Sequence, residues 1–237
     1  MLQMKECFIV DFDFLDYDQA LDFQTKIRTY KEKNRSSDNY VLLLQHNHVF
    51  TLGKRGNEQD ILVKPEILER EQIKVIKIER GGQVTYHGPG QFVAYFLLDL
   101  LDIRISVKDF VWKMEEIIIK ILKEHKIEGF REVDYPGVWV VNEEKKEKIA
   151  AIGAQATNKI TSHGFALNVN TNMNYFNMIV PCGITQHMPT SMQQLLYKKI
   201  DINEIYFLFR NKFEEVFNIK LNLLQINEFK ERVANFD

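Results

Sequence analysis

The stretch "VWVVNEEKKEKIAAIGAQATNKITSHGFALNV", residues 138–169, decides how the chain folds. Its apolar runs at 138–141, 148–156 and 163–169 are separated by short polar turns. A parallel return needs a crossover of about a dozen residues or more, so runs this close read as an antiparallel meander. The charged segment "EEKKEK" (143–148) reads as a solvated hairpin tip. Working outward, residues 6–13, 40–45, 48–51, 73–78 and 92–100 read as further strands.

Helices are expected at 18–33, 106–125, 203–217 and 225–234. Asp18 can cap the first, with Leu21, Gln24, Ile27 and Tyr30 near one face. In the second, Ser106 and Asp109 form a capping-box pattern. Val107, Phe110, Val111, Met114, Ile117, Ile118, Ile121 and Leu122 make its apolar stripe. Strands and helices mix without regular βα alternation. The expected fold is therefore α+β (α/β in the broad sense): a single domain over 1–237 with a mixed, largely antiparallel sheet and flanking helices.

A chain of 237 residues buries enough surface to fold without a disulfide or metal. Its formal charge of −2 argues against a general nucleic-acid binder. Cys7 and Cys182 sit in no CxxC or His-spaced pattern, so no zinc site is expected. The start "MLQMKECFIVDFDF" lacks a secretory pattern, and no apolar run is long enough to span a membrane. A reduced, cytoplasmic protein is the expectation.

Two places invite chemistry. "RGGQVTYHGPGQ" (80–91) combines glycines at 81, 82, 88 and 90 with Arg80, Tyr86 and His87. Glycine admits a close approach to the backbone, so N–H groups here could meet an oxyanion. A satisfied strand-turn-strand corner is the plainer reading, and the spacing fits no Rossmann or P-loop fingerprint. Cys182 lies in "IVPCGITQ" (179–186), where Pro181 and Gly183 impose an irregular backbone that can expose a thiol. Cys7, in an apolar strand, reads as inert. Lys148 opens an expected strand and could face either side of it. His46, His48, His125 and His163 read as structural by default, whereas His187 follows Cys182 closely and reads equally as its partner or as a loop residue.

In order along the chain, "RGGQVTYHGPGQ", "YPGVWV" (135–140), "KIAAIG" (148–153), "HGFALNV" (163–169) and "PCGI" (181–184) closely resemble the octanoyltransferases of lipoate biosynthesis. "HNHVFTLGKRG" (46–56) resembles the family's upstream segment, whereas "HMPTSM" (187–192) departs from its usual approach to a Thr-Ser pair. The resemblance implies a fold related to lipoate and biotin ligases. It implies an enzyme that moves an octanoyl group from octanoyl-acyl carrier protein to a lysine of a lipoyl domain. Acceptors would be the lipoyl domains of 2-oxoacid dehydrogenase complexes and the glycine cleavage H protein. Cys182 would carry a thioester intermediate and Lys148 would partner it, with no cofactor and no metal. The acyl pocket would comprise Arg80, Gly81, Gly82, Gln83, Val84, Thr85, Tyr86, His87, Ala151, Ile152, Gly153, Gly164, Phe165 and Ala166. Lys54, Arg55, Lys145 and Lys146 are candidates for a basic rim that meets acidic carrier domains.

Three rivals stand beside this reading. An ATP-dependent lipoate- or biotin-ligase-like enzyme would need no nucleophilic cysteine. A Cys–His acyl hydrolase would use His87 or His163 as base. A non-catalytic binder of carrier domains would form no covalent adduct.

Overall fold

The meander exists, but its strands have different bounds and a hairpin inserted between them. The structure, a computed structural model, describes residues 6–35, 37–180 and 188–236. In chain order the elements are β1 (Cys7–Phe14), α1 (Tyr17–Lys33), β2 (Asn39–Gln45), β3 (Val49–Leu52), α2 (Pro65–Arg70), β4 (Lys74–Lys77), β5 (Val84–His87), β6 (Gln91–Leu97), α3 (Val107–Glu124), β7 (Phe130–Arg131), β8 (Gly137–Asn142), β9 (Lys145–Ile152), β10 (Gln155–Thr157), β11 (Ile160–Ser162), β12 (Gly164–Asn168), α4 (Met192–Leu196), α5 (Ile202–Phe217), β13 (Leu221–Leu223) and α6 (Ile226–Ala234).

An eight-stranded mixed sheet runs β13-β1-β2-β6-β12-β9-β8-β7. The pairs of β1 with β13 and β2 are parallel, and α1 supplies the crossover for the second. From β2 to β7 every neighbour is antiparallel. A three-stranded sheet, β4-β3-β5, stands beside the large one. The expected α+β architecture with a mixed sheet is what the chain adopts.

Alternation assigns each central strand to two cores. In β2, Val41 and Leu43 pack with α3 and α5, while Tyr40, Leu42 and Leu44 pack with α1 and α6. In β6, Phe92, Ala94 and Phe96 join the first core, and Val93, Tyr95 and Leu97 the second. Burial on both faces explains why these strands read as continuous apolar runs. Phe213 and Phe217 of α5 stack at 4.6 Å over the first core.

The capping box of α3 forms as expected: Asp109 N donates to Ser106 Oγ at 3.0 Å and Ser106 N to Asp109 Oδ2 at 3.2 Å. Of the stripe, Phe110, Met114, Ile117, Ile118, Ile121 and Leu122 are buried and Val111 partly so, but Val107 at its first turn is 40% exposed. The cap of α1 is Asp16 rather than Asp18, and Asp18 instead pairs with Lys74 at 3.0 Å. The buried face of α1 is Tyr17, Ala20, Gln24, Ile27 and Lys31.

The tip of the β8–β9 hairpin is Glu143 and Glu144, with φ of 46° and 66°. Two successive left-handed residues make the tight turn that twisted antiparallel strands favour. The strand consequently begins at Lys145, not Lys148. The expected strand 148–156 is broken after Ile152. There Gly153 N donates to Gly164 O at 2.9 Å, and the chain leaves to form the separate β10–β11 hairpin.

Gly164 marks the tightest approach in the sheet. A Cβ there would overlap Ala94 O and lie 2.7 Å from Phe96 Cδ2. Gly164→Ala should cost about 3 kcal/mol through overpacking, read as a lower denaturant midpoint at unchanged m. A midpoint equal to that of the parent would show that the β6–β12 pair is looser than drawn.

Candidate active site

A cavity of about 410 Å³ opens between the small sheet and the β9–β12 part of the large one. Its volume falls in the range of small-molecule sites, roughly 300–1,000 Å³. One wall is the glycine-rich corner, with Arg80, Gly81, Gly82, Thr85 and His87. The opposite wall is apolar and mostly of small residues: Ala151 and Ile152 at the end of β9, Gly153 and Ala154 after it, and Gly164, Phe165 and Ala166 from β12. Lys148 and the loop Asp134–Pro136 also line it.

Most of the expected pocket residues therefore meet at one cavity. Gln83, Val84 and Tyr86 are not among its lining residues. The period of β5 explains two of these: Thr85 and His87 face the cavity, and Val84 and Tyr86 face a core with Phe50 and Phe176. The Tyr86 hydroxyl and His48 Nδ1 share a hydrogen bond of 2.8 Å, and the Tyr86 ring stacks on Tyr175 at 5.0 Å.

Arg80 is the organising cation of the corner. Its Nη2 donates to Thr51 O at 2.8 Å and Thr51 Oγ1 at 2.9 Å, and its Nη1 to Gly81 O at 2.8 Å. The corner is tied to the 53–55 loop by Gly53 N to Gln83 O (2.9 Å), Lys54 N to Arg80 O (3.0 Å) and Arg55 N to Gly82 O (3.1 Å). Of the expected basic rim, Arg55 lines the cavity. Lys54 lies 3.3 Å from Glu79, and Lys146 pairs with Glu132.

Tyr17, Tyr95 and His163 line the cavity's polar side; sequence reasoning assigned neither tyrosine there, and His163 only as a candidate base in the hydrolase reading. Tyr95 carried a readable signal, since a hydroxyl in an otherwise apolar strand must find a partner. It finds His46 Nε2 at 2.7 Å. His46 Nδ1 donates to Leu15 O at 2.7 Å, which leaves Nε2 as the acceptor of the Tyr95 hydroxyl. Tyr17 packs its ring against those of His46 at 4.9 Å and His87 at 5.9 Å. Tyr17 and His163 arrive from distant elements, and nothing local in sequence couples them. His163 itself has φ of 57°, a left-handed conformation held by its N–H donating to Gln24 Oε1 at 2.7 Å.

Burial keeps these histidines neutral. It lowers His46 to about 4, His87 to about 3 and His163 to about 4. His46 and Arg80 lower His87 further, against a hydrogen bond to Gln91 that raises it, and Arg80 lowers His163. His87 Nδ1 donates to Gln91 Oε1 (2.7 Å), Gln91 Nε2 to Asn168 Oδ1 (2.9 Å) and Asn168 Nδ2 to Thr190 O (3.0 Å). The chain of bonds ends beside Lys148, because Thr190 N donates to Lys148 O at 3.0 Å and Lys148 N to Met188 O at 3.1 Å.

Lys148 is aimed at the cavity by an irregularity in β9. Its register with β8 runs Gly137↔Ala151, Val138↔Ala150 and then Trp139↔Lys148. The extra residue lets Ile149 and Ala150 both enter the core, while Lys148 and Ala151 both line the cavity. Lys148 Nζ donates to Pro136 O at 3.0 Å. Cys182 and His187 lie outside the described residues. Cys7 is fully buried, and burial pushes its thiol up to about 12, so it is no nucleophile. Among the described residues, no group of three or more His, Cys, Asp or Glu could hold a metal, and no helix is long and apolar enough to cross a membrane.

Residues 16–214 match the family of the lipoyl protein ligase A/B catalytic domain. The chain is 38% identical over 232 residues to an octanoyltransferase of Caldicellulosiruptor saccharolyticus, covering 97% of this chain and 95% of the relative. It is 40% identical to an octanoyltransferase of Desulforamulus reducens, covering 96% and 98%. A solved bipartite lipoate protein ligase from Thermoplasma acidophilum, described with its E2 lipoyl domain, superimposes with a TM-score of 0.74 at 13% identity, covering 97% and 91%. A biotin protein ligase from Aquifex aeolicus gives 0.54 at 13%, covering 89% and 70%. These two likenesses show the fold.

The neutral histidines have a consequence for stability. Unfolded histidine takes up its proton near 6.5, whereas these three resist until about 3 to 4. Folding is thus unaffected above about pH 6.5 and is penalised as pH falls, by up to about 1.4 kcal/mol per pH unit for each group. The melting temperature should drop between about pH 6.5 and 5, above the range where carboxylates dominate. A flat calorimetric profile over that interval would refute the buried neutral cluster.

Proposed function

We propose that this chain, which belongs to the lipoyl protein ligase A/B catalytic-domain family and is an acyltransferase of octanoyl transfer in lipoylation, draws its octanoyl group from octanoyl-acyl carrier protein, holds it as a thioester on Cys182, and delivers it to a lysine of lipoyl domains, including those of 2-oxoacid dehydrogenase complexes and the glycine cleavage H protein. The observation that carries this reading is Lys148, placed by a bulge at a cavity whose far wall is made of small apolar residues. The curated relatives support the octanoyl group. The lipoyl domain described with the Thermoplasma ligase supports the acceptor.

The steps balance without a cofactor. A thiolate attacks the donor thioester, a new C–S bond forms, and the carrier's C–S bond breaks. The leaving thiolate takes a proton from the Lys148 ammonium. The acceptor lysine, as neutral amine, then attacks the enzyme thioester: a C–N bond forms, the C–S bond to Cys182 breaks, and Lys148 recovers the proton. Free thiols ionise near 8.5 and ammonium groups near 10.4, so a thiol beside Lys148 ionises first. At about 4 Å and an effective dielectric near 20, the attraction is roughly 4 kcal/mol before desolvation. Met188 and Thr190, a few residues after Cys182, hydrogen-bond with the backbone of Lys148, which supports their pairing.

The tetrahedral intermediate needs an N–H donor. Arg80 O is taken by Lys54 N, and a trans peptide points its N–H opposite to its C=O. The Gly81 N–H is therefore directed away from that loop, and Gly81 lines the cavity. It is our candidate oxyanion donor. The hydrolase alternative is disfavoured by the same histidines. A base works best near the operating pH, and His87 and His163, lowered to about 3 and 4, are weak bases.

Intact mass after mixing with octanoyl-carrier protein, without ATP, should rise by one octanoyl group on Cys182, and a lipoyl domain should remove it. Modification of the acceptor only with octanoate and ATP would replace this mechanism by that of a ligase. Lys148→Ala should slow acylation by roughly 10²–10⁴-fold; parental rates would remove Lys148 from the mechanism. At Gly153 a Cβ would sit 3.4 Å from Arg80 Cδ, an ordinary contact, so a larger side chain enters the cavity without moving the backbone. Gly153→Leu should shift preference to shorter acyl chains, and an unaltered preference would refute the pocket.

A further inference from the structure

Trp139 is 1% exposed, yet it stands on the face of β8 opposite to the core. Val138 and Val140 on either side of it join the core with α3, and Trp139 belongs to none of the hydrophobic clusters among the described residues. Its ring instead lies beneath Lys148, whose Nζ is 4.9 Å from the ring centroid. That is well within the roughly 6 Å at which an ammonium is held by an indole face. The indole N–H donates to Tyr135 O at 3.0 Å, and the next carbonyl along the chain, Pro136 O, accepts from Lys148 Nζ at 3.0 Å. The Lys148 stem passes over Gly137, where a Cβ would lie 3.1 Å from Lys148 Cε.

We propose that Trp139 is a positioning residue for the acyl transfer: its ring face holds the Lys148 ammonium while its N–H fixes the loop whose Pro136 carbonyl holds the same ammonium from another side. Neither of these two contacts brings a negative charge to the ammonium. A carboxylate would hold the lysine as firmly, but it would also repel the thiolate that the lysine must attend. A ring face and a carbonyl stabilise positive charge while adding no net negative charge. This inference rests on the reading of Lys148 as the partner of Cys182.

The chain has two tryptophans, Trp139 and Trp112. Trp112 is half exposed beneath Arg131, away from the cavity, so Trp112→Phe should leave activity intact. In that background, biosynthetic replacement of Trp139 by a series of fluorotryptophans withdraws charge from the ring face at nearly constant shape. The same series makes the N–H a better donor, so a purely structural role for that hydrogen bond would not weaken. The single-turnover rate of acylation by octanoyl-carrier protein should fall stepwise with each added fluorine, reaching about tenfold, while KM for the donor stays constant. Trp139→Phe, which keeps a ring, should retain more of the rate than Trp139→Leu. A rate independent of fluorination, or a Trp139→Leu variant at parental rate with Lys148→Met inactive, would overturn the positioning role alone. Lys148→Met acylating at the parental rate would overturn the reading of Lys148 itself, and with it this inference.

Discussion

One extra residue in β9 governs the site. Side chains of a regular strand alternate, so Lys148 and Ala151 would face opposite sides of the sheet. The bulge opposite Val138 and Trp139 cancels that alternation. It lets Ile149 and Ala150 fill the core in succession while the lysine and the small residue share the cavity. It also coincides with a change of neighbours. β12 pairs with β9 at Ala150 to Ile152, and beyond that point the 188–190 segment takes its place through a parallel bridge of Pro189 to Lys148. The segment that follows Cys182 is thereby registered to the lysine by main-chain bonds, which side-chain substitutions do not remove.

The second constraint is electrostatic. Arg80 is buried, and the acceptors on Thr51 and Gly81 that it meets are neutral groups. A guanidinium at the cavity wall favours anions there, whether a thiolate or an oxyanion. The cluster of His46, His87 and His163 would add three more charges if it were protonated, and burial prevents this. The cavity thus combines the Arg80 guanidinium and the Lys148 ammonium with a polar side of neutral tyrosines and histidines.

The parts of this arrangement that depend on local pattern were legible in the sequence. The capping box of α3, the antiparallel meander and the two-faced burial of β2 and β6 follow from side-chain type and period. The convergence of the glycine-rich corner with Ala151, Gly153 and Gly164 came from family resemblance, not from periodicity. The bulge left no trace, because "KIAAIG" reads equally well as an unbroken strand, and with it went the direction of Lys148. Within "RGGQVTYHGPGQ", the alternation of β5 separates Thr85 and His87 from Val84 and Tyr86. Carrying Arg80 to His87 into the pocket as one block hid that period. Tyr17 and Trp139 act through contacts with residues their own segments do not announce.

The fold by itself does not choose the chemistry. Ligases at 13% identity share it closely, so what distinguishes an acyl transferase must lie in particular side chains. A thioester intermediate makes a demand that an enzyme without one does not face: between the two half-reactions it must survive water. A neutral imidazole of ordinary basicity beside a thioester would activate water and turn the transferase into a hydrolase. His87 and His163 are present at the cavity, but burial and the Arg80 field remove their basicity. On the proposed mechanism, the same desolvation that weakens folding at acid pH also keeps His87 and His163 from acting as bases toward water at the enzyme thioester.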